Sequence, residues 1–109
     1  MGNIYFRKGS TSGRSTDGTG LALLTNAGNL GIGTFTSVTE KLEVSGNCVI
    51  DGTIYLNTAK TVGIFTGTGD PEGAVTASIG STFHRTDGGA STTLYVKESG
   101  TGNTGWVAK

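Results

Sequence analysis

Along residues 41–57, KLEVSGNCVIDGTIYLN, polar and apolar positions trade places almost every second residue. Lys41-Leu42-Glu43-Val44 and Thr53-Ile54-Tyr55-Leu56 carry the alternation most clearly. A period of two gives a strand one face for a core and one for water. Ser45-Gly46-Asn47 and Asp51-Gly52 interrupt it with residues that accept positive φ. The same rhythm predicts strands at 4–8, 21–25, 30–33, 38–45, 48–50, 53–57, 61–65, 74–79, 82–86, 92–98 and 105–108. Turn clusters separate them at 9–13, 17–20, 26–29, 67–73, 87–90 and 100–104. No window holds apolar residues at i, i+3, i+4 and i+7 without an intervening glycine, so helices are not expected. Many short strands with closely spaced turns define an all-β chain.

Asp-Gly recurs at Asp17-Gly18, Asp51-Gly52 and Asp87-Gly88, but the flanking sequences do not match, which makes these independent turns and not a repeat. The stretch 67–73 holds the single proline, Pro71, among glycines. Glycine loosens the backbone there while proline fixes one dihedral, as at a bend between modules. A division into 1–66 and 67–109 follows.

Composition raises the question of what these strands bury themselves against. Gly, Thr and Ser supply 48 of the 109 residues, whereas Leu, Ile, Val and Phe supply 24. That apolar share sits just above the level of about 20% below which chains tend to stay unfolded. Disorder also brings a large net charge, and this chain has eight basic and eight acidic residues. A chain this short buries only about 60–65% of its unfolded surface alone. Sharing a core among identical copies removes the shortage, so an obligate homo-oligomer is expected.

Zero net charge and the absence of any basic run longer than Arg7-Lys8 argue against nucleic acid or an anionic membrane as partner. No stretch approaches the ~18 apolar residues of a membrane span. Phe6 stands where a myristoylation signal wants Ser or Thr, and the order of a secretory signal is missing. Cys48 has no second cysteine to pair with and is expected as a small buried side chain in a strand.

Two segments carry a family resemblance. Residues 28–54, GNLGIGTFTSVTEKLEVSGNCVIDGTI, resemble a module of tailed-bacteriophage tail fibres and tailspikes that reads Gly-Asn-x-Gly-Ile-Gly-Thr, a linker, then Lys-Leu-x-Val-x-Gly. Residues 76–109, TASIGSTFHRTDGGASTTLYVKESGTGNTGWVAK, look like the closing segment of phage tail-fibre and other virion structural proteins. Together they span more than half of the chain. Val38 departs from a proline usual in the first segment, and His84 from an apolar residue or Tyr usual in the second. The resemblance implies an intertwined homotrimeric β-fibre, with 1–66 as a short shaft-like part and 67–109 as a small C-terminal β tip. It also implies that Leu42, Val44, Ile54 and Leu56 pack against their copies across a three-fold axis. Close chain passage there would account for Gly31, Gly33, Gly46 and Gly52. Implied partners are itself, other phage virion proteins and a bacterial surface glycan or protein, and the implied location is the virion.

Catalytic chemistry finds few footholds. His84 is the lone histidine, without the partner set of a nucleophile-and-base constellation. A three-fold axis would gather three copies of it, but no second ligand type stands beside it, so neither metal nor cofactor is expected. Glycoside cleavage needs two carboxylates flanking a sugar groove. Asp17, Asp51, Asp70 and Asp87 all adjoin Gly or Pro and read as turn formers, while Glu40, Glu43 and Glu98 flank lysines as solvated charges. DGTGLALL has Leu23 where a dinucleotide loop wants its third glycine. The chain is expected not to be an enzyme.

Adhesion is better supplied. His84, Arg85, Tyr95, Lys97, Asn103 and Trp106 gather in the terminal segment, and Tyr, Trp and Arg are the residues most enriched at binding hot spots. With so few apolar residues, Trp106 is itself expected in a core or a trimer interface. The loops 9–17, 67–73 and 100–105 are then the receptor surface. A structural virion role without receptor binding, as head decoration or fibre connector, stays open, and so does a tailspike depolymerase.

Overall fold

The computed structural model describes residues 2, 4–7, 20–33 and 37–109. The turns expected at 9–13 and Asp17-Gly18, and with them Arg14 and most of the loop 9–17, lie outside the described residues. The described chain is all β, with no helix and nine strands in two sheets. Two compact units result, Met1–Val49 and Ile50–Lys109.

In the first unit the strands are β1 (Ile4–Arg7), β2 (Gly20–Leu24), β3 (Leu30–Ile32) and β4 (Leu42–Val44), in the order β1-β2-β3-β4. β1 and β2 run antiparallel, with the register slipping between Phe6 and Arg7. β2 and β3 form a hairpin, Ala22 opposite Ile32 and Leu24 opposite Leu30. Its turn is closed by Asn29 N donating to the Thr25 hydroxyl at 3.1 Å and by Gly28 at φ 76°. β4 returns parallel to β3.

Only 42–44 of the expected strand 38–45 joins this ladder. The preceding turn is held instead by one carboxylate oxygen of Glu43, which accepts from Thr39 N at 2.5 Å, Glu40 N at 2.8 Å and the Thr39 hydroxyl at 3.0 Å. Among the described residues here, the buried hydrophobic side chains are Leu23 and Val38.

The second unit has β5 (Ile54–Tyr55), β6 (Gly63–Gly67), β7 (Thr82–Arg85), β8 (Leu94–Lys97) and β9 (Trp106–Ala108), in sequential order. β5 turns into β6 through Asn57, whose side-chain oxygen accepts from Thr61 N and Val62 N at 3.0 and 3.1 Å. β6 and β7 are parallel, so the chain between them must cross over; the remaining neighbours are antiparallel. Alternation sends Phe65, Phe83 and Tyr95 to one face, and the crossover lays Pro71, Val75 and Ala77 on it. Phe83, Tyr95, Trp106 and Ala77 form the core, each at most 6% exposed. Trp106 meets Phe65 and Phe83 edge-on at 6.3 and 6.2 Å, the arrangement that ring quadrupoles favour.

Two expected strands are absent. Residues 74–79 alternate like a strand but form no ladder, because their backbone groups are claimed one at a time by separate loops. Val75 N donates to Pro71 O, Ala77 N to Gly102 O and Ser78 N to Thr61 O. Residues 48–50 are also irregular, and Cys48 is exposed, not a buried strand residue. The stretch 67–73, expected as the seam, lies within the compact unit Ile50–Lys109. Of the glycines assigned to close chain passage, Gly33 lies against Ser45 of its own chain at φ 110°. Gly46 and Gly52 have open space at φ 126° and 141°, so turn geometry is what calls for glycine there.

Candidate functional site

The described loops of the second unit converge on the crossover. Asp87, just past β7, accepts at one carboxylate oxygen from Arg85 Nε and from Gly69 N, both at 2.8 Å. The Arg85 hydrogen bond, then the Gly69 amide, hold the Asp87 carboxyl below the usual aspartate range. Asp87 in turn, followed by Tyr95, raises the Arg85 guanidinium above its ordinary value. Asp70 accepts from Glu72 N at 2.9 Å and, more loosely, from the Tyr95 hydroxyl at 3.4 Å.

A second set of bonds ties the crossover to the β8–β9 loop. One Glu72 carboxylate oxygen accepts from Gly105 N and Trp106 N, each at 2.8 Å. Asn103 Nδ2 donates to Gly73 O at 2.8 Å while Gly73 N donates to Asn103 O at 2.7 Å. Trp106 Nε1 donates to Val75 O at 2.8 Å. Lys97 is fully buried, and its ammonium donates to Ser99 O at 2.5 Å and to Thr104 O. Carbonyl oxygens therefore solvate that charge in place of water. The result is a rigid loop platform on the crossover side of the sheet.

The six residues expected at a receptor surface are divided by this arrangement. Arg85 and Asn103 belong to the platform, with the Arg85 side chain 23% exposed and Asn103 exposed. Tyr95, Lys97 and Trp106 are buried beneath it in the single chain, and for Trp106 this is the core position expected as the alternative. Alternation forces this, since Tyr95 and Lys97 share the inward face of β8 with the core aromatics. His84 lies on the opposite face of the sheet, exposed, in a shallow depression also lined by Ile50, Gly52, Ile54, Ile64, Phe65 and Thr66. Of the residues expected at a three-fold core, Leu42, Ile54 and Leu56 are 61%, 42% and 62% exposed, and Val44 is half-buried.

Asp70, Glu72 and Asp87 carry the platform, although beside Gly and Pro the two aspartates have only the sequence mark of turn formers and nothing local singles out Glu72. Their proximity to glycine was the one visible signal. Glu72 and the two amides that donate to it are 33 and 34 residues apart in the chain, beyond the reach of local pattern. Among the described residues, no group of three or more His, Cys, Asp or Glu side chains could hold a metal ion, and no helix is long and apolar enough to cross a membrane. Comparison with protein-family models, curated proteins and solved structures finds no match.

Proposed function

We propose that this chain is a distal segment of a bacteriophage tail fibre, a homotrimer that presents its loops for adhesion to a host-surface glycan or protein. The observation that carries the reading is an inverted apolar balance. Among the described residues eleven large hydrophobic side chains are exposed, from Leu24 at 36% to Val49 at 91%, against six buried hydrophobic residues. Isolated apolar residues on a surface are ordinary, but this many on so small a chain mark surfaces that other subunits cover. The fibre-like segments at 28–54 and 76–109 supply the class of assembly. Three rigid platforms on one fibre would give avidity to a weak individual contact. The activity proposed is mechanical and adhesive, not catalytic.

Binding of the labelled protein to host cells tests the adhesive part. Retention lost on Asn103→Ala with the fold intact is the expected result; retention unchanged by Asn103→Ala and by Arg14→Ala would remove these loops from recognition. A connector or decoration role within the virion is the second reading. It is favoured by the way Glu72, Asp87 and Asn103 spend their polar groups on internal bonds, and it predicts no retention at all.

A further inference from the structure

The five-stranded sheet has two faces, and only one is covered. Opposite the aromatic core, the register aligns Ile54, Ile64, Thr82, Val96 and Val107 in one row across all five strands, and Thr66, His84 and Leu94 in the next. Ile54, Ile64 and Val107 are 42%, 37% and 38% exposed, although they sit at both edges and near the middle of the row. Neither row contains a formal charge. At the β9 margin Glu98 and Lys109 pair with each other.

We propose that this face is where copies of the chain meet, packing sheet against sheet with His84 inside the contact. The inference rests on the trimeric reading above and deepens it by naming the surface. Two features select a copy of the same chain as occupant. The second unit exposes seven large hydrophobic residues against four buried hydrophobic ones, and three of the seven, Ile54, Ile64 and Val107, stand in one row on this face, so the face needs a cover that is present whenever the chain is. A copy of itself meets that condition; an occasional receptor does not. Rotation about an axis also sets each residue near its own counterpart, which repels where the residue is charged. Rows of Ile, Val, Thr and Leu with one histidine avoid that conflict, and the Glu98–Lys109 pair is neutral as a unit.

Light scattering on the full-length protein across a concentration series tests it. Ile64→Glu and Val107→Glu should each weaken association at least about thirty-fold, as loss of a central contact does. Thr58→Glu, on the exposed β5–β6 turn, should leave the assembly unchanged. Retained near-ultraviolet dichroism of Trp106 verifies that the variants fold; if Ile64→Glu loses it, His84→Glu at an exposed position carries the same test. An oligomer that withstands all the face variants overturns this assignment and leaves the trimeric reading standing. A wild-type monomer overturns both.

Discussion

The two sheets are built from similar sequence material and are stabilised in different ways. In the first, the hydrophobic side chains buried among the described residues are Leu23 and Val38, with a polar one, Asn29, whose side-chain amide donates to Val38 O at 3.1 Å. In the second, a crossover folds back over the sheet, and three interlocked aromatic rings with Tyr95 make a core beneath it. The difference lies in the crossover more than in the strands. A parallel pair requires a long connection, and that connection brings Pro71, Val75 and Ala77 to a face that would otherwise be wet. β3 and β4 are also parallel, but their connection contributes Val38 alone as a buried hydrophobic residue among the described residues. The second sheet has its own aromatic core, whereas among the described residues of the first Leu24, Ile32 and Leu42 are exposed and turns supply much of the bonding.

Removing the aromatic centre should abolish this contrast. Trp106→Ala deletes the ring that touches both Phe65 and Phe83 and is expected to cost about 3–5 kcal/mol, read as a lower urea midpoint for the second unit by circular dichroism. Leu23→Ala in the first unit should shift the same midpoint far less.

A backbone test comes next in size. Gly105 sits at φ 98°, where an added Cβ would run into the Ser99 carbonyl. Gly105→Ala is expected to destabilise the second unit by about 1–3 kcal/mol, with loss of hydrogen-exchange protection concentrated in β9. Glu72→Gln weakens the clasp on Gly105 and Trp106 without touching the core and should cost about 1 kcal/mol.

Acid should produce the smallest effect and touch both units. Asp87 is held low by Arg85 and then by Gly69 N, and Glu43 by the Glu40 and Thr39 amides. A carboxyl whose folded value is depressed stabilises the protein above its unfolded value, near 4, and loses that contribution as pH falls through the folded value. Thermal midpoints should therefore decline below about pH 4, and Asp87→Asn should flatten part of that decline. Both groups are solvent-exposed, so the change will be modest.

Strand positions were legible because period-2 alternation is local, and nine of the expected segments overlap an observed strand. The failures have a common physical origin. Residues 74–79 alternate because Val75 and Ala77 face a core, but that core lies beneath a crossover, which alternation cannot distinguish from a ladder partner. Its neighbours Asn47 and Val49 suggest burial for Cys48, yet Val49 is itself 91% exposed. At the candidate site, residue type pointed to Tyr95, Lys97 and Trp106 as contact groups, and strand parity turned all three inward. His84 and Arg85, adjacent in sequence, were separated by the same parity onto opposite faces.

On the trimeric proposal, these exposed apolar surfaces are covered by copies of the same chain. Sedimentation equilibrium of the full-length protein at micromolar concentration addresses it most directly. The account predicts a species of three times the 11.0 kDa chain mass. A single ideal species at 11.0 kDa, stable across the concentration range, would contradict it.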